Sequence, residues 1–265
     1  MMAAMTTTLA IANQKGGVAK TTSVASIGAA LAELGQSVLL VDLDPQACLT
    51  FSLGIDPEDL EISVHQVLTQ RIDPTQVVIE TEDGVALMPA TIELARAEAD
   101  LLTRTGREHV LRGMLEDLAE RNASYDWILL DCPPSLGVLT VAALTAADGV
   151  LIPLQCETLS HRGVGQLLDT VHDVRRFTNR DLAVWGVLPT LYDGRTTHSR
   201  TVLETIAETY DLDVVEPPIP KTIKFAEAPA AGRSILATSR SSKGAQAYRE
   251  VARNLLARAS RDRQV

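Results

Sequence analysis

The sequence lacks any uninterrupted apolar run of about 18 residues, the length a membrane-spanning helix needs, so no such helix is expected. Met1 to Thr8 has no charged side chain and no apolar core of the signal-peptide kind. It reads as a flexible leader, residues 1–8, on a cytoplasmic protein. Cys48, Cys132 and Cys156 are odd in number and widely spaced, with no C-x-x-C pair. That argues against a disulfide or metal framework and for buried free thiols. The five histidines show no H-E-x-x-H or other ligand spacing. No internal repeat or low-complexity linker divides the chain.

What is present is an ordinary globular balance: 265 residues, 46% hydrophobic and 22% charged, enough to bury a substantial core. The net charge of -10 speaks against a nucleic-acid partner until its distribution is read. Residues 1–160 hold 8 Lys+Arg against 22 Asp+Glu, whereas residues 161–265 hold 16 against 12. The molecule is acidic, with a relatively basic C-terminal segment. That unevenness is either a plain solvated surface or a basic face.

Apolar strand-like runs alternate with helix-like segments. Predicted strands are Leu9–Asn13, Ser37–Asp44, Val85–Met88, Trp127–Pro134, Gly149–Gln155 and Leu182–Pro189. Predicted helices are Thr21–Leu34 (stopped by Gly35), Ile92–Leu102, Val164–Arg176, Thr201–Tyr210 and Lys243–Arg258. Continuously apolar strands joined by helices predict a doubly wound α/β domain: a mostly parallel sheet flanked by helices, over residues 9–258, with a tail at 259–265. Residues 55–83 read as an excursion from the sheet edge. Ligands in such sheets bind beyond the carboxyl ends of the strands. Asn13–Thr22, Asp42–Gln46 and Asp131–Ser135 all fall there.

The stretch "NQKGGVAKTT" (13–22) follows the first strand and opens the first helix. It departs from G-x-x-x-x-G-K-[ST], because Gln14 and Ala19 stand where that pattern has glycine. It keeps what phosphate binding requires. Gly16 and Gly17 allow close approach of a pyrophosphate, and the amides of Val18 to Thr22 face it at a helix N-terminus. Lys20 reaches the β- and γ-phosphates and the Thr21 hydroxyl can ligate Mg²⁺. Asp131 ends an apolar strand where a magnesium-holding carboxylate would sit. Asp42 and Asp44 end the neighbouring strand two residues apart, so their side chains point the same way. Asp44 also suits a helix N-cap before Pro45.

"KGGVAKTT", "LLVDLDPQ", "ILLDCPPSLG", "IPLQCE", "IPKTIKFAEAPAAGRSIL" and "SRSSKGAQAYREVA" together resemble the deviant Walker A P-loop ATPases of the ParA/Soj group, relatives of MinD. The likeness runs from Leu9 to about Leu256. It implies a weak Mg·ATP hydrolase that switches by dimerising. Lys15, the signature lysine, would cross to the partner's phosphates like a cation finger supplied in trans. Asp44 would position the attacking water, and Asp42 would lie nearer the Mg²⁺ shell. Pro220 aligns with a residue packing on adenine, and Thr222 replaces the family asparagine. If Ala19 needs positive φ, it costs roughly 1–2 kcal/mol. If it lies in the helix's first turn it is unstrained, the expectation preferred here.

The resemblance also implies a homodimer with ATP, non-specific DNA binding on the nucleoid, and a ParB-like activator. Arg195, Arg200, Lys221, Lys224, Arg233, Arg240 and Lys243 are the candidate phosphate contacts. A MinD-like membrane positioner is the rival. The tail "NLLARASRDRQV" has too little apolar face for a lipid-lying helix, so stable membrane association is not expected. A cargo-positioning or regulatory ATP switch using neither surface is the third reading.

Overall fold

The computed structural model describes residues 6–121, 123–157 and 160–262. Its first strand, β1 (Thr7–Ile11), runs into the glycine-rich loop and then α1 (Lys20–Glu33). There follow β2 (Val38–Asp42), α2 (Cys48–Ser52), α3 (Val64–Gln70), β3 (Ile79–Glu80), β4 (Ala86–Met88), α4 (Leu94–Leu102) and α5 (Val110–Glu120). The second half holds β5 (Trp127–Asp131), α6 (Val138–Ala146), β6 (Gly149–Gln155), α7 (Ser160–Phe177), β7 (Ala183–Thr190) and α8 (Thr197–Tyr210). Two single-turn helices, α9 (Lys224–Glu227) and α10 (Ile235–Thr238), precede the long α11 (Lys243–Asp262).

The strands form one seven-stranded sheet in the order β3-β4-β2-β5-β1-β6-β7. Every pairing is parallel except β3 with β4, at the edge. Because side chains alternate along a strand, a sheet covered on both faces needs apolar residues at every position. β1 shows this: Leu9 and Ile11 pack with α1, α10 and α11, while Ala10 joins the layer built from α3 to α8. β2 and β5 split in the same way. The excursion at 55–83 joins α2 to β4 and carries α3 and the edge strand β3.

Several boundaries differ from expectation. β1 begins at Thr7, because the Thr7 amide pairs with Asp126 and the strand registers with β5. Thr7 and Thr8 are therefore strand, not leader, and residues 1–5 lie outside the described ones. α11 continues to Asp262 because Ala259 is still buried on the core, so the tail does not begin at 259; residues 263–265 lie outside the description. α5 and α6 appear in stretches given no element above. α6 is buried on nearly every side, so its sequence shows no 3.6-residue period. α5 does carry a legible stripe at Leu111, Met114 and Leu118. Among the described residues, no helix is long and apolar enough to cross a membrane.

Candidate functional site

The carboxyl ends of β1, β2 and β5 meet at one point above the sheet. Parallel register sets Ile11 opposite Asp131 and Asp42 opposite Asp131, so the loop after β1 hangs directly over both carboxylates. Asn13, buried, anchors that loop: its amide donates to the Pro153 carbonyl at 2.8 Å and its oxygen accepts from the Lys15 amide at 3.0 Å. Gly16 and Gly17 are exposed, with open space where a Cβ would stand, and Gly17 takes φ 74. Val18 is buried. Thr21 and Thr22 are half-buried in the first turn of α1.

Ala19 is not in that first turn. It is the N-cap of α1 at φ 62, ψ 36, a left-handed conformation that strains a residue with a Cβ by roughly 1–2 kcal/mol. Ala47, the N-cap of α2, is left-handed too at φ 51, and so is Leu191 after β7 at φ 50. Of the five left-handed non-glycine residues among the described ones, Arg71 and Asp211 are ordinary C-caps of α3 and α8, whereas Ala19, Ala47 and Leu191 follow carboxyl ends of strands, where such strain marks functional loops.

The two lysines of the loop part company. Lys20 turns inward: it is 7% exposed and its Nζ donates to the Lys15 carbonyl at 3.2 Å. Burial lowers its pKa from the usual lysine value, opposed chiefly by the charge of Asp131. Lys15 turns outward, and its Nζ pairs with the exposed Glu157 carboxylate at 2.5 Å.

Asp42 and Asp131 are fully buried. Asp42 is held tightly: Oδ2 accepts from the Thr50 amide at 2.9 Å and its hydroxyl at 2.7 Å, and Oδ1 accepts from the Asp44 amide at 3.1 Å. Burial nonetheless lifts its pKa to about 6, against those bonds. No protein group completes a hydrogen bond to either oxygen of Asp131, although the Thr21 hydroxyl stands close enough to favour its ionised form. Burial first, then the charge of Asp42, holds Asp131 well above the carboxylate range. Two uncompensated oxygens beside a second carboxylate, a threonine hydroxyl and an open phosphate cradle suit a hard, oxygen-seeking cation. Among the described residues no cluster of three or more His, Cys, Asp or Glu could hold a metal alone. An ion that keeps waters and borrows phosphate oxygens, as Mg²⁺ does, fits such a set. Asp44, half-buried, accepts from the Gln46 amide at 2.9 Å and so starts the turn into α2.

Asp42 is therefore engaged in holding α2, through Thr50, rather than open toward a metal; Asp131 is the open carboxylate. Four contributors were given no role by the motifs: Asn13, Thr50, Glu157 and Thr190, whose hydroxyl donates to the Val18 carbonyl at 2.9 Å. Asn13 opens the quoted stretch 13–22 and Glu157 closes the quoted "IPLQCE", while Thr50 lies four residues past "LLVDLDPQ", but nothing in their spacing named their partners.

Comparison with known proteins accords with this geometry. The AAA domain family model AAA_31 matches residues 6–184. The sporulation initiation inhibitor protein Soj of Bacillus subtilis is 42% identical over 250 residues, covering 94% of this chain and 98% of Soj. The chromosome partitioning protein ParA of Caulobacter vibrioides is 40% identical over 257 residues, covering 97% and 96%. The chain belongs to the ParA/Soj family of P-loop ATPases. A Mycobacterium smegmatis structure named cobyrinic acid a,c-diamide synthase, with bound ATP analog and magnesium, superposes with a TM-score of 0.84 at 56% identity, covering 95% of each chain.

The other candidate residues of this ParA/Soj-family chain follow β7 in the sequence, and they do not share one place: Tyr192 and Pro220 adjoin β7, whereas Arg233 and Arg240 stand by the β3–β4 turn at the opposite edge of the sheet. Pro220 bridges to Tyr192, and the Thr222 hydroxyl accepts from the Lys224 amide at 3.3 Å. Arg200 on α8, Lys221, and Lys243 at the start of α11 are exposed. Arg195 is exposed and paired with Asp193, and Lys224 pairs with Glu227. Arg240 is exposed, with its carbonyl accepting from Arg249. Arg233 is different. Its guanidinium is clamped by Asp83, whose side chain is 2% exposed, and by Glu82, so its charge is committed to the β3–β4 turn and it leaves the set of free cations.

Proposed function

We propose that this chain is a Mg·ATP-driven dimerisation switch of the ParA/Soj kind, which binds DNA without sequence preference and is discharged by a ParB-like activator. The observation that carries the reading is the divergence of the two loop lysines. Lys20 is buried and feels the charge of Asp131, which supports a role facing the β- and γ-phosphates of a nucleotide on Gly16–Thr22. Lys15 sits on the rim and points away. A cation so placed serves a phosphate group presented by a second copy, neutralising charge only when two subunits meet. Asp131 and the Thr21 hydroxyl would hold Mg²⁺, which when bound neutralises charge on the transferring phosphoryl group. Asp44, on the turn into α2, orients the attacking water. Pro220 and Thr222 flank the base. Arg195, Arg200, Lys221, Lys224, Arg240 and Lys243 supply the cations for DNA phosphates and so for a nucleoid location.

Lys15→Ala should keep ATP binding but lose ATP-dependent dimers, whereas Asp44→Ala should accumulate them. Light scattering with ATP reads both, and the reverse pattern would sink the two assignments. The lipid-binding alternative is disfavoured because α11 spends its apolar face, Tyr248, Val251, Leu255 and Ala259, on α1 and the sheet.

The Mycobacterium smegmatis relative raises a second reading, ATP-dependent amide formation. Amide nitrogen drawn from glutamine needs a nucleophilic thiolate. Cys132 and Cys156 are buried, and burial pushes both thiols the wrong way, Cys156 to about 11; Cys48 is exposed, not buried as its sequence suggested, and partial desolvation and the nearby carboxylates raise it too. Phosphate release that rises with cobyrinic acid and an ammonia source, and not with DNA, would favour amidation.

A further inference from the structure

The carboxyl end of β7 touches both halves of the proposed nucleotide site. Thr190 is fully buried, and its hydroxyl donates to the Val18 carbonyl at 2.9 Å. Val18 immediately precedes the left-handed Ala19, whose own carbonyl accepts from the Ser23 amide at 2.9 Å. The peptide joining Val18 to Ala19 is thus pinned from outside α1, and the one after Ala19 from within it. On the other side, the backbone around Thr190 carries the base-contacting segment. The Ile219 amide donates to Pro189 at 2.7 Å, the Tyr192 amide to Ile219 at 2.9 Å and the Lys221 amide to Tyr192 at 3.3 Å. Leu191, between the two sets of bonds, is held left-handed.

Packing alone does not call for a hydroxyl here, because valine has nearly the shape of threonine. A left-handed residue with a Cβ persists only where its surroundings over-determine it. We propose that Thr190 is a positioning residue of the phosphate loop: its hydroxyl fixes the peptide between Val18 and Ala19, holds Ala19 left-handed, and ties the loop to the segment that carries Pro220 and Thr222. This rests on the ATP-site reading above. With the bond lost, Ala19 relaxes toward ordinary φ, and the amides of the loop turn away from the phosphates. Glycine at position 19 adopts positive φ freely, so it relieves the need for the clamp.

The test is calorimetric Mg·ATP affinity for the wild type, Thr190→Val, Thr190→Ser, Ala19→Gly and the Thr190→Val/Ala19→Gly double variant. Loss of one buried hydrogen bond, with the Val18 carbonyl left unpaired, should weaken binding about tenfold in Thr190→Val. Thr190→Ser restores the hydroxyl and should bind as the wild type does. In the Ala19→Gly background the loss should shrink, a non-additive cycle that a role in packing alone would not produce. Should the valine variant not fold, Thr190→Ala carries the same comparison. Wild-type affinity in Thr190→Val, strict additivity, or failure of serine to rescue would each overturn the inference while leaving the ATP site standing. A wild type that does not bind ATP would instead overturn the site itself.

Discussion

Ala19→Gly should stabilise the nucleotide-free protein. Ala19 sits at φ 62, ψ 36, where the Cβ crowds the following carbonyl at a cost of roughly 1–2 kcal/mol. Glycine removes that cost but gives the unfolded chain more freedom, which takes back about 0.4–1 kcal/mol. The difference spans about 0–1.6 kcal/mol, and its centre is a net gain of about 0.8 kcal/mol. For a chain of this size, a melting midpoint moves by roughly 2–4 °C per kcal/mol, so a rise of about 1–4 °C is expected. Ala29→Gly is the internal control: the same exchange at an ordinary helical position of α1, where it should cost about 1 kcal/mol. Ala47→Gly, at φ 51, should behave like Ala19→Gly. The assay is thermal unfolding without nucleotide, checked by urea titration. If Ala19→Gly melts at or below the wild type, or falls as Ala29→Gly does, the left-handed strain is not there and the reasoning fails.

Lys20→Ala should weaken Mg·ATP affinity by more than tenfold, since it removes the one loop cation buried over Asp131; undiminished affinity by calorimetry would mean the loop is no phosphate site. The buried carboxylates give a pH signature. Burial lifts the Asp42 pKa to about 6 from 3.8, so its stabilising share is fully present below pH 3.8 and is lost as pH rises through 6. Asp131 acts in the same direction, and Asp131→Asn removes the repulsion between the pair. That variant should be more stable than the wild type at pH 7.5 without nucleotide, with the gap narrowing toward pH 4.5; a gap that grows on acidification would refute the pairing. Arg200→Glu should strongly weaken ATP-dependent duplex binding, twice per dimer. In the wild type, log K should fall by about 0.9 per phosphate neutralised for each tenfold rise in salt. A fluorescent-duplex titration that is insensitive to salt would remove the DNA role.

The layout of the sheet was legible because the sequence's apolar runs are unbroken. Only strands buried on both faces can afford Leu39-Leu40-Val41 or Ile128-Leu129-Leu130, and a chain of such strands separated by helices has few other solutions. Strand β3 was illegible for the opposite reason. It is two residues long, pairs antiparallel at the edge and leaves Glu80 exposed, so no periodicity accumulates. The start of β1 was misplaced because Thr7 and Thr8 are polar by composition, and what makes them strand is their register with Trp127 and Ile128, more than a hundred residues away.

The site follows the same division between local and distant causes. The loop, Lys20 and Asp131 were readable because their roles follow from strand–turn–helix order along a short stretch. Ala19 was misjudged since alanine is the best helix former, and local propensity points it into α1; its left-handed state is set by contacts on both sides of it. One of those, Thr190, lies on a strand that enters the sheet far along the chain; Glu157, the partner of Lys15, is just as remote in sequence, beyond β6. Arg233 shows the reverse error. Counted by charge it belongs among the DNA contacts, yet Asp83, supplied by the turn between β3 and β4, consumes it. A cation's availability is a property of its partners, so sequence can nominate a basic face but only tertiary structure can say which of its charges remain to be given to a ligand.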